Sequence, residues 1–228
     1  MMSFSPQSIS VVLADDHQIV LEGLASLLKA EKDITVAGCA VDGQQAVLME
    51  AELHPDVMVM DIAMPILNGL EATRQILLRN PAARILLLSA HRDDVYIERA
   101  QALGVAGFLI KQSSAHVLAP AIRDVFGGDT CYSPGIAKAL RHRRAENTGR
   151  QGDSSELPLV LTPREAETLQ MVAEGKANKQ MADLMGISIK TVEKHRDHLM
   201  RKLDIHDTAG LTRYAIATGV IQAHAPRA

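Results

Sequence analysis

Val57-Met58-Val59-Met60-Asp61 is the stretch on which the fold turns: four consecutive apolar residues that end on a carboxylate. It follows His54-Pro55-Asp56 and precedes a further proline at Pro65. A short apolar run without polar alternation, bounded by turn residues, reads as a strand buried on both faces, as parallel strands are. The same pattern recurs to either side. Ile9 to Ala14 ends in Asp15-Asp16, Arg84 to Leu88 ends in Ser89, and Gly107 to Ile110 ends in Lys111. Strands are predicted over 9–14, 34–40, 57–60, 84–89 and 106–110, with helices over 17–30, 43–53, 68–79, 93–102 and 114–126. Five such βα units imply an α/β domain with a doubly wound, five-stranded parallel sheet and right-handed crossovers. Pro120 removes a hydrogen bond from the last helix and is expected to kink it.

In a doubly wound sheet, ligands bind outside the carboxyl ends of the strands. Asp15, Asp16, Asp61, Ser89 and Lys111 therefore meet at one edge. Three ionised carboxylates repel one another unless a cation intervenes, and Mg²⁺ suits carboxylates together with a phosphate oxygen. Asp61 is placed as a nucleophile toward phosphorus, Lys111 as the partner of one phosphoryl oxygen and Ser89 as a hydrogen-bond donor to another. Each residue alone has a plainer reading. Asp16 caps the helix that begins at His17, Ser89 is an ordinary strand end, and Lys111 is a solvated charge. Their joint placement at four strand ends argues against coincidence.

The chain has 228 residues and a net charge of −3, with 47 % hydrophobic and 22 % charged residues. That length suits two domains of ordinary soluble composition. No apolar stretch approaches the ~20 residues of a membrane helix, no secretory leader is read at Met1 to Ser10, and two cysteines make no disulfide framework. A cytoplasmic protein is expected. Charge is uneven: nine Lys and Arg face fifteen Asp and Glu in residues 1–128, which argues against nucleic acid there. Gly127-Gly128 closes the first domain, 1–128, and residues 129–156 read as a linker carrying the basic run Arg141-His142-Arg143-Arg144. Ser133-Pro134 in it are suited to capping a short helix.

Residues 157–228 form a second, wholly helical domain. Thr162-Pro163-Arg164-Glu165 is a capping box with proline at the first helical position. A second helix fits Asn178 to Met185 and stops at Gly186; Ser188 caps a third to about Leu203, and a fourth fits Asp207 to Thr218. The middle pair has helix-turn-helix form. Met181, Leu184, Met185, Val192, Leu199 and Leu203 give its apolar faces, while Lys190, Lys194, Arg196, Arg201 and Lys202 offer charges for phosphates.

Residues 9–127 resemble the receiver domain of two-component response regulators, a flavodoxin-like fold. The resemblance rests on Asp15-Asp16, Asp61 within Asp-Ile-Ala-Met-Pro, Asn68-Gly69, Ser89-Ala90, and Lys111 within Gly-Phe-Leu-Ile-Lys. It implies that Asp61 accepts a phosphoryl group from a sensor histidine kinase. It also implies Mg²⁺ held by Asp16, Asp61 and the carbonyl of Ala63, with Asp15 helping, and a switch in which Phe108 rotates as Ser89 moves. From the residues alone, Phe108 reads equally as core. Gln112 stands where many receivers carry proline, and Ala63 and His91 occupy positions that tune phosphate lifetime in that family.

The string Leu161-Thr-Pro-Arg-Glu165, Glu174-Gly175, Asn178-Lys179-Gln180-Met181-Ala182, Ile187-Ser188, Thr191-Val192-Glu193-Lys194-His195-Arg196 and Arg201-Lys202-Leu203 is similar to the LuxR-type helix-turn-helix. The pair of domains resembles a NarL/FixJ-type response regulator. By that resemblance helix 189–203 enters the major groove of double-stranded DNA and the helix near 207–218 forms a homodimer on phosphorylation. Lys190, Thr191, Glu193, Lys194, Arg196, Asp197, Arg201 and Lys202 are then the candidate DNA contacts, with Glu193, Lys194 and Asp197 as base readers and Arg196 and Lys202 on phosphates. The unphosphorylated receiver either masks helix 189–203 or keeps the chain monomeric. No enzyme activity in the turnover sense is expected. A phosphatase would want a second acid where Ala63 stands; a flavin or nucleotide module would want a Gly-rich cradle in place of Ala14-Asp15-Asp16-His17. A protein-interaction adaptor is the remaining rival, given that residues 153–228 carry equal numbers of acidic and basic groups.

Overall fold

The computed structural model describes residues 8–90, 94–133, 136 and 161–221. In the first domain strands and helices alternate: β1 (Ile9–Ala14), α1 (Gln18–Lys29), β2 (Ile34–Ala40), α2 (Gly43–Leu53), β3 (Val57–Asp61), α3 (Gly69–Arg79), β4 (Ile85–Ser89), α4 (Asp94–Leu103), β5 (Gly107–Ile110) and α5 (Ser114–Phe126). Each strand falls where its apolar run predicts it. α5 runs continuously through Pro120, and the Lys111–Gln112 peptide is trans.

With a sixth strand, β6 (Cys131–Tyr132), the strands pair in parallel in the order β2-β1-β3-β4-β5-β6. Successive side chains of a strand point to opposite faces, so the all-apolar strands feed two cores. Val12, Met58, Met60, Leu87 and Phe108 pack on the side of α2, α3 and α4, whereas Val11, Leu13, Val59, Leu88 and Leu109 pack against α1 and α5. The order reverses between β1 and β3, and that switch point is where Asp15 and Asp61 emerge.

The sheet among the described residues has six strands rather than the expected five. β6 (Cys131–Tyr132) lies in the stretch read as linker. It is held by Cys131 N–H donating to the Ala106 carbonyl at 3.0 Å and by Ser133 Oγ accepting from Ile110 N–H at 3.1 Å. Two residues are too few to show a strand periodicity. Ile136, 1 % exposed, joins the core beneath α2–α4. Pro134 and the run Arg141 to Arg144 lie outside the described residues.

The second domain comprises α6 (Pro163–Ala173), α7 (Asn178–Met185), α8 (Ile189–Leu203) and α9 (Thr208–Ala217). Thr162 and Glu165 form the predicted capping box. Gly186, at φ 64°, ends α7 in the left-handed region, and Ser188 caps α8. Leu169, Met181, Val192, Leu199 and Leu211 form the core, and Ile66 of the first domain packs against it.

Candidate phosphoryl-transfer site and DNA-reading helix

Parallel register brings the predicted residues together. Asp61 is opposite Leu88 and Ser89 opposite Ile110, so Ser89 sits one strand over from Asp61 and Lys111 leaves β5 beside both. Asp15 (1 % exposed), Asp61 (2 %) and Ser89 (1 %) are all buried. The Lys111 ammonium bridges two of the carboxylates, at 2.7 Å from Asp15 Oδ2 and 2.9 Å from Asp61 Oδ2. Burial pushes the Asp61 carboxyl up to about 6, against the opposing pull of Lys111 and with a further push from Asp15. Burial alone would lower the Lys111 pKa, but Asp61 and Asp15 outweigh it and the value is raised.

Asp16 does not cap α1: the N-cap is His17, without a side-chain cap bond. Asp16 is instead partly exposed at the rim, 2.8 Å from His17 Nδ1. Asp15, Asp16 and His17 bring ligand atoms within 4.8 Å of one another. The donor set fits a hard divalent cation. Three carboxylates, Asp15, Asp16 and Asp61, gather with one ammonium at this edge. Ala63 is exposed beside them and its N–H donates to Asp61. Gly69 closes the loop: a Cβ there would lie 2.0 Å from the Asp61 carbonyl oxygen, so only glycine lets α3 start so close to β3. Phe108 is fully buried in the core that contains Tyr96 and Ile97. His91 lies outside the described residues.

On α8, Val192 and Leu199 are fully buried, while Lys190, Glu193, Lys194, Asp197 and Arg201 are exposed. Thr191 is half-buried, its hydroxyl 2.8 Å from Ser188 Oγ. Two expected phosphate contacts have internal partners. Arg196 donates to Asn178 Oδ1 at 2.7 Å and to Thr208 Oγ1 at 3.2 Å, tying α8 to α7 and α9. Lys202 pairs with Glu165 at 2.6 Å, tying it to the capping box of α6.

The sequence profile described as "Response regulator receiver domain" matches residues 11–123, and that of "Bacterial regulatory proteins, luxR family" matches residues 159–215. The transcriptional regulatory protein MctR of Rhizobium johnstonii is 39 % identical over 93 % of this chain and 95 % of its own length. The chain belongs to the response regulators. The oxygen regulatory protein NreC of Staphylococcus carnosus is 34 % identical over 91 % of this chain and 97 % of its own. Among solved structures, a LuxR-family two-component response regulator from an Aurantimonas species aligns with a TM-score of 0.58 at 33 % identity, covering 61 % of this chain and 99 % of that one. The regulator is thus a two-component transcriptional regulator made of a receiver and a DNA-binding domain. No helix among its described residues is long and apolar enough to cross a membrane.

Sequence reasoning missed a set of contacts that join the two domains. Gln170 of α6 donates through Nε2 to the Met64 carbonyl and accepts through Oε1 from Asn68 N–H, both at 2.7 Å. Asn68 Nδ2 donates to the Val220 carbonyl at 2.8 Å, Arg74 to the Leu161 carbonyl at 3.2 Å, and Arg99 to the Thr218 carbonyl. Glu174 accepts from Ile66 N–H, and burial pushes its carboxyl up. The docked surface is α6 and the end of α9. The candidate DNA contacts Lys190, Glu193, Lys194 and Asp197 stay exposed, so the contact between the domains does not cover these residues of helix 189–203.

Proposed function

We propose that Asp61 is the phosphoacceptor of a sensor histidine kinase, and that its phosphorylation shifts the regulator toward a dimer bound to double-stranded DNA. The observation that carries this reading is the Lys111 ammonium shared by Asp15 and Asp61 at the carboxyl ends of β1 and β3. An Asp61 carboxylate oxygen bonds to phosphorus as the bond to the donor histidine nitrogen breaks, and the donor imidazole leaves with the electron pair. Lys111 is placed to pair with one phosphoryl oxygen. Ser89 serves another, and Phe108 moves with it as the switch. Mg²⁺, when bound, supplies neutralisation of the phosphoryl charge; Asp15, Asp16, Asp61 and the Ala63 carbonyl would hold it. Transfer is stoichiometric and the protein is not an enzyme in the turnover sense.

In the second domain Lys190, Glu193, Lys194 and Asp197, exposed toward one end of α8, are placed to enter the major groove, with Thr191 and Arg201 flanking them. Arg196 and Lys202 act first by fixing the pose of α8 and reach phosphate with donors left over. A cytoplasmic location follows from both partners, the kinase's phosphohistidine and duplex DNA.

Intact mass after incubation with acetyl phosphate tests the first half. One phosphoryl increment is expected on the wild type, dependent on Mg²⁺ and absent from Asp61→Asn. An increment retained by Asp61→Asn would move the acceptor elsewhere.

A further inference from the structure

The outward face of α8 carries two carboxylates that the fold does not use. Val192 and Leu199 put one stripe of the helix into the core, while Lys190, Glu193, Lys194 and Asp197, spaced i, i+3, i+4 and i+7, form the opposite stripe in solvent. A lysine stands three residues before each acid, within reach of an ion pair. Among the described residues, however, neither Glu193 nor Asp197 has a side-chain hydrogen bond or ion pair. Arg201, one turn beyond Asp197, donates at 3.2 Å to its carbonyl and not to its carboxylate. The two acids are themselves four residues apart, a like-charge spacing that works against a helix. Helix stability therefore gives no reason for the pair. An alternating-sign face is ordinary on a solvated helix. Here it lies on the second helix of a helix-turn-helix, after Gly186 in the turn and the capping Ser188, and that helix is the one that enters the major groove in this motif.

We propose that Glu193 and Asp197 are the sequence-determining residues of α8 and that each selects cytosine, accepting a hydrogen bond from its N4 amino group. This rests on the reading of α8 as the helix that enters the groove. An ionised carboxylate only accepts hydrogen bonds, and of the four bases only cytosine and adenine offer a donor in the major groove. In an A·T pair the adenine amino group lies between two acceptors, its own N7 and thymine O4. The cytosine amino group has an acceptor, guanine O6, on one side only. The carboxylate therefore meets less repulsion at cytosine. Four residues of helix span about 6 Å and successive base pairs are about 3.4 Å apart, so the two cytosines lie about two base pairs apart in each half-site. Both acids are repelled by phosphate, which lowers affinity for every sequence that lacks those donors. Lys190 and Lys194 on the same stripe supply the compensating attraction.

The test uses the full chain, with and without acetyl phosphate and Mg²⁺, to select duplexes from a randomised library, in parallel with Glu193→Gln and Asp197→Asn. An amide keeps the size of the carboxylate but pairs with N6 and N7 of adenine through one acceptor and one donor. Wild type is expected to enrich cytosine at two positions of each half-site, by about fivefold or more over any other base. Each amide variant is expected to move one of those positions to adenine and to leave the other as cytosine. A merely structural role for either acid would change affinity for all duplexes alike and would not exchange one base for another. Selection of the wild-type sequence by both variants, with Lys190→Ala weakening binding to it, would overturn the proposal while leaving α8 on the DNA. No enriched sequence in either state, or binding indifferent to Lys190→Ala and to both amide variants, would remove α8 as the reading helix, and the proposal with it.

Discussion

Asp61 ends a strand of otherwise apolar residues, and its carboxyl, 2 % exposed, titrates at about 6 instead of 3.8. The folded state binds this proton more tightly than the unfolded chain does. Stability from the group is therefore complete below about pH 4 and is lost as pH rises through about 6. At neutral pH the buried charge is a cost, bounded by roughly 3 kcal/mol for a carboxyl held at about 6. Asp61→Asn in chelator is accordingly expected to stabilise the receiver at pH 7.5 by about 1–3 kcal/mol, or roughly 3–8 °C in Tm, with the gain gone at pH 4. Thermal melts of both proteins across that range check it; a pH-independent difference would mean that burial is not what shifts Asp61. Asp15, Asp61, Ser89 and Lys111 were legible in the sequence because each terminates an apolar run, and a strand end is a local signal. Ile66 was not. Glycine or asparagine would have announced a positive φ, whereas isoleucine adopts one here, in a loop whose Met64 and Asn68 are held by Gln170 of the other domain.

The elements of the DNA-binding domain were legible from their caps, since Thr162, Ser188 and Gly186 each mark a boundary that the structure keeps. Which cations on α8 are free for DNA was not legible, because a basic residue looks the same in sequence whether it faces solvent or a carboxylate on another helix. Arg196 and Lys194 are two positions apart and have opposite surroundings. Arg196→Ala removes side-chain bonds to α7 and α9 and is expected to destabilise this domain by about 1–3 kcal/mol. Lys194→Ala should leave stability within about 0.5 kcal/mol and reduce the salt slope of binding to a random-sequence duplex by about one. Urea melts and binding isotherms over a salt series separate the two. A Lys194→Ala slope equal to wild type would take that residue off the phosphate backbone.

At the scale of the whole molecule the regulator is two separately cored units joined at three places among the described residues. One is the loop after Asp61, where Gln170 and Glu174 hold residues 64–68; a second is α3, where Arg74 donates to the Leu161 carbonyl; the third is α4, where Arg99 donates to the Thr218 carbonyl at the end of α9 and Gly219 packs on Tyr96. Arg99 is half-withdrawn from water: burial lowers its pKa, with Glu71 as the chief opposing charge. Its bond to a helix-terminal carbonyl is charge-assisted, the stronger kind of hydrogen bond, and losing it should cost docking about 1.5–3 kcal/mol. If the DNA-binding domain leaves the receiver as one body, that loss is felt at all of these contacts. Arg99→Ala is then expected to speed amide hydrogen exchange at Ile66 and Asn68 about ten- to hundredfold, although Arg99 touches neither, because their N–H groups are covered by Glu174 and Gln170 of the departing domain. Exchange in β1 and β3 should not change, since those strands are held within the receiver. Acceleration confined to residues 214–221 would show instead that the end of α9 frays alone, and that the grip on residues 64–68 survives without the contact on α4.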